Sequence, residues 1–205
     1  MTALASVRLA KTRDVVGPVP KVKGRAMAVK HFGWLAGLLG VIWGVQVLSL
    51  LTGYTLNSWF GLVPRSLGGL DGIALMPLLH GSVGHAVSNS LPLVILGGLM
   101  SVTVRRDLLA VSAIIIVVGG VGVWVFGRAA LHVGASGLVF GWFAFLIARG
   151  LVERRVVPVV TALGVGLVYG SLIWGVFPGQ PGVSWEAHLF GAIGGVLATF
   201  VLRGR

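Results

Sequence analysis

A serine and a histidine stand out in this sequence because each interrupts a long apolar stretch. Ser136 lies within residues 129–148, and His188 lies within residues 185–202. Polar side chains at membrane depth are costly, so they indicate function. A serine hydroxyl becomes a nucleophile when an adjacent base, most often a histidine, takes its proton. The pair therefore predicts a serine that attacks a carbonyl carbon.

Two further polar residues could stabilise the product of that attack. His85 and Asn89 are four residues apart and share one helix face. Both donate hydrogen bonds, and a donor placed at a developing oxyanion contributes about 3 kcal/mol. Residues 133–141 read as a loop that enters a helix, where the first backbone N–H groups are free. We expect the N–H of Ser136 to be one of these free donors.

The apolar stretches that must position these residues are long enough to cross a membrane. The chain of 205 residues is 56% apolar and 10% charged, whereas soluble domains carry about 25% charged residues. A membrane-spanning helix needs about 20 apolar residues. The sequence therefore predicts an all-α membrane protein and excludes a soluble enzyme. Its six predicted spans cover residues 32–54, 86–104, 108–127, 129–148, 156–177 and 185–202.

The basic residues give these spans an orientation. Of 16 Lys and Arg residues, only Arg65 and Arg128 fall outside the segments that are cytoplasmic when the N-terminus is inside, in accord with the positive-inside rule. We therefore predict cytoplasmic N- and C-termini. Residues 1–31 form a basic tail that we expect to lie against the anionic inner leaflet, and residues 32–205 form the six-span domain. This topology accounts for the net charge of +11, so we expect no nucleic-acid partner.

Polar residues of three spans fall at one depth. At 1.5 Å per residue, Ser136, His188 and Asn89 lie about 20, 22 and 24 Å from the basic residues that end their spans. That depth is near the outer edge of a hydrocarbon core about 30 Å thick. No carboxylate of the sequence is expected there, so the predicted pair is a dyad rather than part of a triad.

Glycines recur at helical spacing after both dyad residues. They are Gly137 and Gly141 after Ser136, and Gly191 and Gly195 after His188. Small residues let membrane helices approach closely. We therefore expect the two glycine stripes to pack against each other and to bring the imidazole to the serine.

Three motifs, taken together, resemble the rhomboid family of intramembrane serine proteases. The resemblance covers roughly residues 32–202, and the motifs follow the family's order on spans two, four and six. They are His80-x4-His85-x3-Asn89, Gly134-Ala135-Ser136-Gly137 and Ala187-His188-x2-Gly191-x3-Gly195.

The resemblance implies a role for each motif. Ser136 would be the nucleophile, and His188 would be the general base and acid. His85, Asn89 and the Ser136 N–H would form the oxyanion hole. His80 would help to order the first long loop.

The resemblance also implies the substrate and its access. Substrates would be single-span membrane proteins, cleaved near the outer end of the transmembrane helix. Water would reach the dyad through a cavity capped by residues 178–184, and the fifth span would be the lateral gate.

The sequence departs from the family in three places. Phe140 stands where many members have a tyrosine stacked on the catalytic histidine, and we expect its ring still to stack. Arg65 matches the arginine of a Trp-Arg pair in the first loop, whose tryptophan has no counterpart. A glutamate common near the inner end of the second span is absent.

Each polar residue also has a structural explanation. A serine in a glycine-rich membrane helix usually eases packing, and His188 or Asn89 could serve as an interhelical hydrogen-bond partner. For His80 a structural role is favoured. His132 receives no role, and Glu186 is interpreted as a residue at the edge of a loop.

Two other functions compete with proteolysis. An inactive rhomboid-like adaptor that binds membrane helices is the alternative, although such relatives usually lack the serine or the histidine. A channel or transporter fits less well, because the inner halves of the spans hold no ionisable residue. The sequence has no cysteine and no His-Glu-x-x-His, so we expect no metal and no cofactor. The simple six-span core favours a bacterial plasma membrane.

Overall fold

The computed structural model describes residues 24–104 and 106–203, with side chains from residue 32 onward. Residues 1–23 of the predicted basic tail lie outside the described residues. Arg105 and Arg205 also lie outside them. Helix α1 begins at Gly24, so the end of that predicted tail is helical.

Eight α-helices make up most of the described chain. Their bounds are α1 Gly24–Leu51, α2 Thr55–Phe60, α3 Gly72–Leu75, α4 Val83–Thr103, α5 Leu108–Phe126, α6 Ser136–Glu153, α7 Val156–Tyr169 and α8 Trp185–Val201. Short 3₁₀ helices cover Leu67–Gly69, Met76–Leu78 and Gly170–Val176. The β-structure in the described part is a single isolated bridge between Leu62 and His132. The expected all-α class is confirmed.

Five helical segments are long and apolar enough to cross a membrane. They are Phe32–Leu51, Val83–Thr103, Leu108–Phe126, Ser136–Glu153 and Val156–Val176. Helix α8 is apolar but shorter, with 17 residues, or about 25 Å at 1.5 Å per residue. The chain is thus a multi-pass helical membrane protein.

The fourth span begins later than the sequence predicts. The prediction covers residues 129–148, but α6 begins at Ser136. Gly127 has extended backbone angles, and Gly134 has a φ of +126°. These backbone conformations are not helical, so residues 127–135 form a loop over one end of the bundle.

Helix α6 is the centre of the bundle and contacts α4, α5, α7 and α8. Its Trp142 is fully buried, and the indole N–H donates to Ser112 Oγ on α5 at 3.0 Å. Trp34 of α1 packs edge-on against the same ring, with ring centroids 5.8 Å apart. A buried indole needs a partner for its N–H, so this contact orients α5 against α6.

The two glycine stripes pack against each other, as the sequence predicts. A Cβ atom on Gly191 would collide with the carbonyl oxygen of Gly137, and a Cβ on Gly195 would collide with that of Gly141. The backbones of α6 and α8 therefore touch directly. This close approach requires glycine at both α8 positions.

The first long loop is fastened to the end of the bundle where α6 begins. Arg65 Nη1 donates to the carbonyl of Val125 at 3.1 Å and to that of Gly127 at 2.8 Å. Trp124 Nε1 donates to the carbonyl of Ser66 at 2.9 Å. Arg65 thus anchors this loop, and the tryptophan beside it comes from α5 rather than from the loop.

Candidate active site

Ser136 is the first residue of α6, and the turn before it is held by the first long loop. The N–H of Gly134 donates to the carbonyl of Met76 at 2.8 Å. The N–H of Ala135 points to His80 Nε2 at 3.4 Å. The first N–H groups of a helix have no acceptor within the helix. The Ser136 N–H also makes no hydrogen bond within the described residues, so it is available to an incoming oxygen.

Gly134 occupies a position that only glycine tolerates. Its φ of +126° is rare for residues with a side chain, and a Cβ there would lie 2.7 Å from His85 Cε1. The absence of a side chain lets the His85 ring approach the backbone just before Ser136. The glycine therefore fixes both the turn and the distance to α4.

The His188 ring is held by two contacts. His188 Nδ1 is 2.8 Å from the carbonyl oxygen of Gly175. Because a carbonyl only accepts, Nδ1 carries the proton and Nε2 is left with its lone pair. Phe140 stacks on the ring, with centroids 3.9 Å apart and planes 7° from parallel. The stacking expected despite the loss of the tyrosine hydroxyl is confirmed.

His85 and Asn89 lie in the first two turns of α4. Ser82 caps this helix by accepting from the N–H of His85 at 3.0 Å. Asn89 Nδ2 donates to the carbonyl of His85 at 3.2 Å, and the residue is 6% exposed. A primary amide has two N–H donors, so one of them remains for another acceptor.

These side chains line one cavity. It has a volume of about 620 Å³, and Ser136, His188, His85, Asn89 and Phe140 all line it. Residues 181–184 contribute to its wall. Ser136 and His188 are not hydrogen-bonded to each other in this structure. Hydrogen bonds between catalytic groups often shorten only when substrate binds.

His80 lies behind this cavity rather than in its wall. The residue is fully buried, and its ring packs edge-on against His85 with centroids 5.0 Å apart. Burial, with a smaller contribution from His85, lowers the pKa of His80 to about 4. A neutral imidazole at this position can accept from the Ala135 N–H, so its contacts are those of a structural residue.

Sequence reasoning missed a polar cluster beside the site. Glu186 is 1% exposed and accepts from the backbone N–H of Arg128 at 3.2 Å, with its other oxygen 3.7 Å from Arg128 Nη1. Arg128 Nη2 donates to the carbonyl of Val183 at 2.6 Å. Glu186 thus lies at the edge of the loop before α8, as predicted, but the prediction included neither its burial nor its pairing with Arg128. The sequence did contain a signal for this pair. Glu186 lies at the outer start of the sixth predicted span, and Arg128 is predicted on the same side of the membrane.

His132, which received no role from the sequence, belongs to the same cluster. Its Nδ1 is 2.6 Å from Ser184 Oγ, and its Nε2 is 3.2 Å from the carbonyl of Arg128. Burial lowers its pKa. Ser184 also caps α8 by accepting from the N–H of Ala187 at 3.3 Å. The cluster thus connects the loop before Ser136 to the helix that carries His188.

A metal site is not evident in the part of the chain that the structure describes, where no three His, Cys, Asp or Glu side chains are grouped to hold an ion. The groups that line the cavity include the Ser136 hydroxyl, the His188 imidazole and several hydrogen-bond donors. This set can activate a hydroxyl and stabilise an oxyanion.

Comparison with known proteins agrees with this architecture of membrane helices around a polar cavity. A rhomboid domain is matched over residues 68–205, and the chain belongs to the rhomboid family. Uncharacterized proteins of Mycobacterium tuberculosis and Mycobacterium bovis are each 37% identical over 184 residues, covering 82% of this chain and 76% of the relative. One of Mycobacterium leprae is 34% identical over 189 residues, covering 84% and 74%.

Proposed function

We propose that this protein is an intramembrane serine endopeptidase with a Ser136–His188 dyad. The observation that carries the proposal is the orientation of His188. Its Nδ1 is engaged by the Gly175 carbonyl, so the basic Nε2 remains in a cavity that Ser136 also lines. A packing histidine would not need a free nitrogen in a cavity shared with a serine at a helix start.

The chemistry follows from these atoms. Ser136 Oγ attacks the carbonyl carbon of a peptide bond while His188 Nε2 takes the hydroxyl proton. When the C–N bond breaks, His188 returns that proton to the leaving amine. Water, with its proton taken by the same nitrogen, then hydrolyses the acyl ester and restores the serine. The nitrogen serves as base and acid in turn.

The oxyanion of each tetrahedral intermediate needs donors on one side of the serine. We assign this role to the Ser136 N–H, the Asn89 amide and His85. Support comes from the free N–H at the start of α6 and from the two α4 side chains in the same cavity wall. The partial positive charge of a helix N-terminus favours a developing anion as well.

The proposed substrates are single-span membrane proteins, cleaved near the outer end of the helix. We also propose that the chain has six spans, that both termini lie in the cytoplasm, and that the membrane is a bacterial plasma membrane. Only 17% of the residues in the span Val156–Val176 are buried, compared with 50% in the span Ser136–Glu153. A weakly packed helix is the easiest to displace, which supports the fifth span as the lateral gate.

A fluorophosphonate probe tests the dyad without knowledge of the substrate. The purified chain would be labelled beside Ser136→Ala and His188→Ala, with Ser88→Ala as a matched control. Ser88 also lines the cavity, but its hydroxyl donates to the His85 carbonyl of its own helix at 2.9 Å. We expect labelling of the native chain and of Ser88→Ala, and none of the two dyad variants.

Two results would contradict the proposal. One is the absence of labelling in a native chain that circular dichroism shows to be folded. The other is labelling that persists in Ser136→Ala. In the first case, an inactive adaptor that binds membrane helices becomes the function to test.

A further inference from the structure

A second cavity lies at the opposite end of the bundle from Ser136. Its volume is about 610 Å³. It lies where α4, α6 and α8 end and where α5 and α7 begin. The charged residues that line it are Arg106, Asp107, Arg149, Glu153, Arg155 and Arg203. The four arginines against two acids leave an excess of positive charge, which none of the proposed proteolytic chemistry uses.

One of the arginines forms the wall of this cavity. Arg149 Nε pairs with Glu153 Oε1 at 2.6 Å, and its side chain is 18% exposed. Its Nη1 donates to the carbonyl of Thr103 at 2.7 Å, which satisfies the C-terminal end of α4. Glu153 is therefore already neutralised by Arg149, and Arg149 is held in place.

The other three arginines make the cavity positively charged. Arg106, Arg155 and Arg203 are on three different segments, just before α5, just before α7 and just after α8. Within residues 24–104 and 106–203, the ion pair recorded in this cavity is that of Arg149 with Glu153. Three guanidinium groups around one recess, with Asp107 as the remaining acid, favour an anion with several oxygen acceptors.

Apolar side chains share the same recess. Val102, Val152 and Leu202 line it beside the arginines, and the recess lies at the level where the helices end. The headgroups of a bilayer lie just beyond its hydrocarbon core, and basic pockets between helices at this level bind anionic headgroups. A free anion would gain nothing from the apolar wall.

We propose that this cavity binds the phosphate headgroup of an anionic phospholipid. Arg106, Arg155 and Arg203 contact the phosphate oxygens, and the start of the acyl chains lies on the apolar side chains. The bound lipid joins the ends of α4, α6 and α8 to the starts of α5 and α7. This proposal is independent of the proposed protease activity, since it concerns the other end of the molecule.

The test is the thermal unfolding midpoint in a neutral detergent while lipid is added. A ligand that binds only the folded state raises the midpoint as its concentration passes its Kd. The additions are phosphatidylglycerol, phosphatidylcholine as a zwitterionic lipid, and inorganic phosphate as a free anion. We expect only phosphatidylglycerol to raise the midpoint.

Two neighbouring arginines provide a matched pair of variants. Arg155 lines the cavity, whereas Arg154 does not and instead hydrogen-bonds to the carbonyl of Leu151 at 3.4 Å. For Arg155→Gln we expect half-saturation at about fivefold more phosphatidylglycerol. Arg154→Gln should titrate like the native chain. Should Arg155→Gln fail to fold, Arg203→Gln replaces it, because that side chain is exposed beyond α8.

Three outcomes would overturn the proposal. An equal weakening in Arg154→Gln would mean diffuse attraction to anionic lipid rather than a site. An equal effect of phosphatidylcholine would mean that charge is not recognised. Stabilisation by inorganic phosphate at the same concentration would make a free anion, not a lipid, the ligand.

Discussion

At the residue scale, two contacts of His188 suit its proposed role as a base. Nδ1 donates to the Gly175 carbonyl at 2.8 Å, which sets the tautomer, and the stacked Phe140 ring sets the plane of the imidazole. A base must be held in both respects to meet a serine proton. Packing alone can provide the second, so the phenylalanine ring can set the plane of the imidazole without a hydroxyl group.

Removal of the ring at position 140 should therefore slow the reaction of Ser136. For Phe140→Ala we expect the second-order rate constant of fluorophosphonate labelling to fall about fivefold, since such ring pairs contribute about 1 kcal/mol. Phe140→Tyr should restore most of the rate. A native rate in Phe140→Ala would show that the stacking does not position the base.

The proposed role of Asn89 as an oxyanion donor can be tested by a single substitution. Loss of one oxyanion donor lowers a rate by about 100-fold or more, so Asn89→Ala should lose that much of the labelling rate. Ser88→Ala, one residue away, should keep the native rate. Equal labelling rates for the two variants would show that Asn89 is not an oxyanion donor.

At the scale of elements, the site depends on how closely α6 and α8 approach. The backbone contacts of Gly191 on Gly137 and of Gly195 on Gly141 bring His188 to the start of α6. The Arg128–Glu186 pair and the His132–Ser184 hydrogen bond fasten the loops over the same two helix starts. The two residues of the proposed dyad are thus positioned by the glycine contacts of α6 with α8 and by the polar cluster in the loops before both helices.

A methyl group at this interface should separate the two helices. For Gly191→Ala we expect a loss of about 2 kcal/mol in the free energy of unfolding, because overpacking a tight contact costs about 1–3 kcal/mol. Gly164→Ala on α7 is the control, since a Cβ there meets nothing within 4 Å, and alanine is the better helix former. Denaturation in detergent measures both, and similar losses would contradict the tight α6–α8 contact.

At the scale of the whole molecule, buried His80 makes the fold sensitive to acid. Its folded pKa is about 4, below the ordinary 6.5, so below pH 6.5 the unfolded chain binds a proton that the folded chain does not. Stability therefore falls as the pH drops from about 6.5 toward 4. The buried His132, whose pKa is lowered too, acts in the same direction.

This dependence can be measured as the unfolding free energy between pH 7.5 and pH 4. Over this range His80 should contribute a loss of about 3 kcal/mol. His80→Gln removes the titrating group and should flatten the curve by that amount, even if the variant is less stable throughout. An unchanged slope in His80→Gln would mean that other groups cause the acid sensitivity.

The sequence alone determined the helical membrane class and the residues that meet in the cavity. Long uncharged stretches have no stable alternative to helices in a membrane. Polar residues that interrupt them at one depth can meet only each other. Ser136, His188 and Asn89 form one predicted group for this reason, and His85 joins it because it shares a helix face with Asn89. The glycine spacing of α6 and α8 indicated their contact, because period and residue size are local properties of the chain.

Only the tertiary structure decided what holds the site in place. Three hydrogen bonds join residues that are 13 to 58 positions apart: those of His188 with the Gly175 carbonyl, of His132 with Ser184, and of the Glu186 carboxylate with the Arg128 N–H. No local pattern encodes such partners. The start of α6 at Ser136 also depends on Gly134 taking a positive φ beside His85, which apolar length could not reveal. The arginine cavity likewise exists because five helix ends converge in space.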